Sequence, residues 1–147
     1  MPVVRTQHIT DCPVDHVWKV LLDCEAFPGY MPEVREIEIL KEDGELRWSR
    51  WAVLLKGSEL EWEERERIDH DAHRIEFEQT EGDLAYFNGH WQVTAGPEGT
   101  MVELSVEFDI GIPLMAEMLN PVAARALEDN SRAILDQIGR RAGVAAS

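Results

Sequence analysis

Cysteine, basic side chains and long apolar runs are all scarce in this chain of 147 residues. Each scarcity excludes something. Cys12 and Cys24 are the two cysteines, and they bracket a helix-like stretch. If the steps between them are helical they span about 18 Å, well beyond the roughly 7 Å that a disulfide allows between Cα atoms. Both are expected to be free thiols, which suits a reducing cytoplasm. The 14 lysines and arginines are set against 29 aspartates and glutamates, a net charge of −15. Such a surface repels phosphate backbones and anionic lipid heads, and no basic patch offsets it, so nucleic acid is not expected as a partner. No apolar run approaches the roughly 18 residues of a spanning helix, so membrane insertion is not expected. Met1 to Thr10 has no apolar core of the signal-peptide kind, and the expected location is cytoplasmic.

Several catalytic signatures are missing too. There is no paired-cysteine or His/Glu helix motif, no phosphate-cradling glycine loop and no Gly-x-Ser-x-Gly elbow. His70 and His73, beside Asp69 and Asp71, have ligand-like types but fall in a turn, where charged residues are ordinary. No metal and no cofactor are expected.

What the chain does contain is an order of elements. Val3 to Thr10 alternates as a strand. Pro13 and Asp15 mark a helix start, and Val14, Val17, Trp18, Leu21 and Leu22 fall on one helical face. Phe27 to Pro32 breaks that helix and fits a short turn or lid-like segment. Six strand-like segments follow: Val34–Lys41, Leu46–Leu55, Leu60–Ile68, His73–Gln79, Leu84–Ala95 and Thr100–Ile110. Turn signals at Asp43-Gly44, Lys56-Gly57-Ser58, Asp69 to Ala72, Glu81-Gly82-Asp83 and Gly96 to Gly99 separate them, as in an up-and-down meander. A closing helix of about 25 to 30 residues opens at Pro113, with a kink or break expected at Asn120-Pro121. Its apolar stripe is Ala123, Leu127, Ile134 and Ile138, against Arg125, Glu128, Asp129, Arg132 and Asp136 on the other side.

A half-buried antiparallel sheet needs cover for its apolar face, and the closing helix is the main candidate. The expected fold class is α+β: one domain, a curved antiparallel sheet of about seven strands wrapped on a long C-terminal helix. Such a pairing tends to leave an apolar cavity.

Alternation suggests which side chains face that cavity. Ala85, Phe87, Gly89, Trp91 and Val93 share one parity, and Gly89 between two rings either leaves space for a ligand or marks a bulge. Leu60, Trp62 and Ile68 share theirs with Glu64 and Glu66. A regular strand would aim both carboxylates inward, where burial raises a carboxyl pKa and makes a usable acid or base; a bulge would turn them out. The segment Arg47 to Leu55 resists assignment, because Trp48 and Trp51 have opposite parity. One choice turns Arg50 inward, to polarise a carbonyl or pair with Glu64; the other leaves it at a solvated edge. Asn130 interrupts the helical stripe and needs a partner, whether ligand, backbone carbonyl or water.

The whole order resembles the helix-grip fold of the START and Bet v 1-like superfamily. Cys12-Pro13-Val14-Asp15-His16-Val17-Trp18, Glu25-Ala26-Phe27-Pro28, Ala85 to Trp91 and Glu107-Phe108-Asp109 resemble its polyketide cyclase/aromatase branch, over nearly the full length. The resemblance implies a bent pocket that folds a linear poly-β-ketone, closes a ring by aldol chemistry and dehydrates it. It maps pocket positions onto Phe27, Trp62, Trp91, Leu104 and Asn130. It also implies a strand arginine that polarises a carbonyl, a position that falls on Glu66 or Arg67 according to one residue of register. Phe27, Tyr30, Trp62, Phe77, Phe87, Trp91, Leu104 and Asn130 are therefore the candidate ligand contacts. Arg67 or Arg50 would polarise a carbonyl, and Glu64 or Glu66 would move protons. The alternatives are a non-catalytic lipid or quinone carrier, as in ubiquinone-binding relatives, and an interaction module with a filled interior. The expected partner is a small hydrophobic molecule; a homodimer is left open.

Overall fold

The structure, a computed structural model, describes residues 2–55, 58–111 and 116–146, with side chains of the last helix described over 121–143. The expected helix opening at Pro113 and the Lys56-Gly57 turn lie outside the described residues. The elements run β1 (Val3–Thr10), α1 (Val14–Leu22), a short 3-10 helix (Cys24–Gly29), β2 (Val34–Asp43), β3 (Leu46–Leu55), β4 (Ser58–Asp69), β5 (Arg74–Gly82), β6 (Tyr86–Gly96), β7 (Gly99–Asp109) and α2 (Ala116–Ala146).

All seven strands form one antiparallel sheet in the order β1-β7-β6-β5-β4-β3-β2. It is a meander whose last strand meets the first. Tight links dictate that order: sequential strands joined by short turns pair with each other. The turn between β2 and β3 uses Gly44 at φ 60, a left-handed conformation that glycine adopts without a Cβ penalty. Strand ends differ from expectation by a few residues because alternation fades at strand termini. Pro13 lies one position earlier than expected, as the N-cap of α1.

α2 runs unbroken through Pro121, so the expected break is absent. Pro121 is the sixth residue of the helix, so its missing N–H removes one i→i−4 hydrogen bond without ending the helix. Leu127, Ile134, Leu135, Ile138 and Ala142 of α2 are buried. They join the inward residues of the sheet in one apolar cluster with Val17, Trp18 and Leu21 of α1. Cys12 and Cys24 are both buried free thiols. No helix among the described residues is long and apolar enough to cross a membrane.

Candidate functional site

The site lies on the inward face of β3 and β4, where sequence parity and register divide the surface in two. Directly opposite pairs across these strands are Arg47–Glu66, Ser49–Glu64, Trp51–Trp62 and Val53–Leu60. All eight side chains are buried. Toward one end the pairs are polar, and toward the other they are apolar. The two tryptophans stack across the strands, with ring centroids 5.7 Å apart and planes 13° from parallel. Both indoles turn their N–H toward the polar end. Trp51 Nε1 donates to Ser49 Oγ at 2.8 Å, and Trp62 Nε1 donates to Glu64 Oε1 at 2.6 Å. A buried indole N–H needs such a partner.

At the polar end Arg47 Nε donates to Glu66 Oε1 at 2.6 Å, with the two side chains 5% and 1% exposed. Arg47 Nη1 also donates to the Leu22 carbonyl at 3.0 Å, which satisfies an orphan acceptor where α1 ends. Glu64 is 2% exposed, and its Oε2 has no hydrogen-bond donor. Burial first, then the charge of Glu66 and a hydrogen bond to it, hold the Glu64 carboxyl well above the usual carboxylate range. Arg47 serves Glu66, so Glu64 is the buried carboxyl without a cation of its own. Burial likewise pushes the nearby Cys24 thiol up to about 12, with Arg47 pulling the other way.

The strand alternation in β4 is unbroken, which aims Glu64 and Glu66 inward. The register slip between β4 and β5 passes from Glu63–Glu81 to Glu64–Gln79, so the extra residue, Thr80, belongs to β5. β3 is different. Its inward row is Arg47, Ser49, Trp51 and Val53, which corrects the reading that turned Arg50 inward. Arg50 is exposed and reaches Glu38 on the outer face at 3.5 Å. Arg67 has the outward parity of β4 and is exposed, beside the Arg65–Glu78 ion pair. Neither arginine faces the interior. Arg47 does, and it went unnoticed because two polar residues on the inner face of β3 imitate an outer face. The register would have exposed it: pairing Leu55 with Ser58 sets Arg47 opposite Glu66.

Between the apolar end and α2 lies a narrow slit. Trp51, Val53, Leu60, Trp62, Phe77, Phe87 and Trp91 wall it from the sheet, with Leu104 and Val106 of β7. Leu127, Asn130, Ser131 and Ile134 roof it, and Glu64 is the one ionisable residue that lines it among the described residues. The slit measures about 40 Å³. That is room for water but not for an aromatic ring, since cavities that hold benzene are nearer 150 Å³ and ligand pockets start at about 300 Å³. The expected open cavity is thus mostly filled by its own rings: Trp62 approaches Phe87 at 4.9 Å between centroids, and Phe87 approaches Phe77 at 5.8 Å. The space over Gly89 is taken as well. A Cβ built there would come 2.8 Å from Phe77 Cζ and 2.0 Å from the Ser105 carbonyl oxygen.

Two candidate contacts do not line the slit. Phe27 is fully buried behind Trp51, edge to face at 6.1 Å. Tyr30 packs on Phe27 at 6.2 Å and lies under the Arg141 guanidinium at 4.9 Å; burial pushes its phenol up to about 12. Both brace the aromatic wall from outside. Asn130 lines the slit, but its Nδ2 donates to the Leu54 carbonyl at 2.9 Å, a latch between α2 and β3. Larger hollows of about 340 to 490 Å³ lie on the outer face and are lined mainly by charged and polar residues. Trp18 engages both histidines: its Nε1 donates to His70 Nδ1 at 3.3 Å, and its ring meets His73 edge on. Among the described residues no group of three or more His, Cys, Asp or Glu is placed to hold a metal.

A curved antiparallel sheet closed by a long C-terminal helix over an aromatic-walled space defines a helix-grip protein of the START and Bet v 1 kind. Residues 10–135 match the family described as polyketide cyclase / dehydrase and lipid transport, and the chain belongs to that family. Among solved structures it is similar to TTHA0849 from Thermus thermophilus, at 27% identity over 99% of this chain and 100% of that one, with a TM-score of 0.91. It is also similar to the Zhui aromatase/cyclase from a Streptomyces species, at 22% identity, 99% and 96% coverage and a TM-score of 0.85. A START superfamily protein from Mycobacterium smegmatis shares 18% identity over 94% of this chain and 97% of that one, with a TM-score of 0.77.

Proposed function

We propose that this protein binds a small hydrophobic molecule, aromatic or polyketide-like, between the sheet and α2. The observation that carries the reading is the slit itself: among the described residues, nine apolar or aromatic side chains of the sheet and two of α2 surround it, with one ionisable group at its edge. Family membership and the likeness to an aromatase/cyclase support a hydrophobic guest. Because the empty slit is about 40 Å³, binding requires α2 to lift from β3 or the rings to turn. The latch between Asn130 and Leu54 is where such an opening would begin. If the guest is also cyclised and dehydrated, Glu64 and Glu66 are the groups that would move protons. Among the described residues no free arginine lines the slit to polarise a carbonyl, and that observation favours the second reading, a carrier of a lipid or quinone.

The test is titration with N-phenyl-1-naphthylamine, a neutral probe that brightens on leaving water. We expect saturable brightening in the native protein and at least tenfold weaker binding in Leu127→Trp, which plugs the roof. No saturable signal, or the same affinity in a folded Leu127→Trp protein, would contradict the reading. Mass spectrometry of small molecules extracted from the purified protein then separates the two forms: an intact quinone or lipid supports carriage, a cyclised aromatic product supports catalysis.

A further inference from the structure

Glu64, the one ionisable lining residue among those described, bears on which guests the slit admits, a point that rests on the binding reading above. We infer that Glu64 is the specificity-determining residue of the slit, selecting neutral aromatic guests that carry a hydroxyl and turning away those that carry a carboxylate.

Three observations lead there. Glu64 stands at the seam between the stacked tryptophans and the Arg47–Glu66 pair, so a guest lying along Trp62 ends against it. Its Oε1 accepts from Trp62 Nε1, while its Oε2 is buried and receives no N–H or hydroxyl, the Glu66 carboxyl being the other polar neighbour of Glu64. A buried polar atom without a partner is rare and asks for one. A hydroxyl both donates and accepts, so it can pair with Glu64 Oε2 in either protonation state. A hydrocarbon offers that oxygen no partner.

The same arrangement excludes anions. Among the described residues the guanidinium nearby is that of Arg47, and it is spent on Glu66 Oε1 and the Leu22 carbonyl. Arg50 and Arg67 are on the outer face. A carboxylate entering the slit would find no free cation among the described residues and would meet the Glu66 charge in a medium of low dielectric, where like charges repel strongly. The chain's net charge of −15 adds to that repulsion at long range.

The experiment uses three guests of one ring system, 2-naphthol, naphthalene and 2-naphthoate, each titrated against bound N-phenyl-1-naphthylamine at pH 7.5. We expect 2-naphthol to bind roughly three- to tenfold tighter than naphthalene, the range of one net hydrogen bond. We expect 2-naphthoate to bind at least tenfold more weakly than naphthalene. Glu64→Leu should bind naphthalene and 2-naphthol equally. Glu64→Gln, whose amide also donates and accepts, should keep the preference for the naphthol. Equal affinities for naphthol and naphthalene in the native protein, a preference that survives Glu64→Leu, or tight binding of the naphthoate would each overturn the inference and leave the binding reading standing. If none of the three displaces the probe and the probe itself does not bind, the binding reading falls instead.

Discussion

Replacing Arg47 by methionine tests whether the polar end of the site is held as described. Arg47 and Glu66 are 5% and 1% exposed and lie 2.6 Å apart. Methionine fills much of the volume of the arginine stem but removes the guanidinium. The Glu66 carboxylate then stays buried without its cation, which costs about 3–5 kcal/mol. The Leu22 carbonyl loses its donor at 3.0 Å, adding on the order of 1 kcal/mol. Domains of this size have about 5–15 kcal/mol in all, so the variant should be close to its folding limit. At about 2–4 °C per kcal/mol the melting temperature should fall by roughly 10–20 °C. Urea unfolding followed by tryptophan fluorescence and far-ultraviolet circular dichroism gives both midpoint and slope. The double variant Arg47→Met/Glu66→Leu should recover most of the loss, because a buried ion pair replaced by apolar residues is often neutral. A loss below about 1 kcal/mol in the single variant, or no recovery in the double, would show that the pair is solvated and the reasoning wrong.

Three further outcomes are expected. The folded-state pKa of Glu64 is raised, chiefly by burial, so its stabilising contribution is full below the unfolded value and is lost as pH rises through the folded one. Urea midpoints from pH 5 to 9 should therefore show Glu64→Gln gaining on the native protein as pH increases, by up to about 1.4 kcal/mol per pH unit between the two values; parallel curves would refute this. Gly89→Ala places a Cβ 2.0 Å from the Ser105 carbonyl oxygen and 2.8 Å from Phe77 Cζ, and should cost about 3 kcal/mol or more, measured by thermal melting. Cys24, buried and pushed up to about 12, should resist Ellman's reagent at pH 8 in a Cys12→Ala background until urea unfolds the chain; a fast phase without urea would contradict its burial.

Much of the architecture was legible because its physics is local. Alternation at Ile37, at Ile75 and Phe77, and at Phe87, Trp91 and Val93 marks inward rows that are buried in the structure. The helical spacing of Leu127, Ile134 and Ile138 marks the covering face of α2. The inward aim of Glu64 and Glu66 followed from parity once β4 proved regular. What resisted reading depends on pairing across the sheet. The inner face of β3 carries a charged and a hydroxyl side chain beside Trp51, and only its register against Glu66 and Glu64 explains them. The filling of the cavity was not legible either. Strand patterning says which rings point inward, whereas ring-on-ring contacts such as Trp62 with Phe87 and the lodging of Phe77 over Gly89 depend on sheet curvature and rotamers. Phe27 and Tyr30 have the residue types of a pocket wall but sit one layer behind it.

The most direct measurement is a crystal structure of the protein grown with saturating N-phenyl-1-naphthylamine. The account predicts the probe between Trp62, Phe87 and Trp91 on one side and Leu127 and Ile134 on the other, with the slit widened from about 40 Å³ toward the roughly 300 Å³ of an ordinary ligand pocket. A probe lodged on the outer face, with the slit still closed, would contradict it.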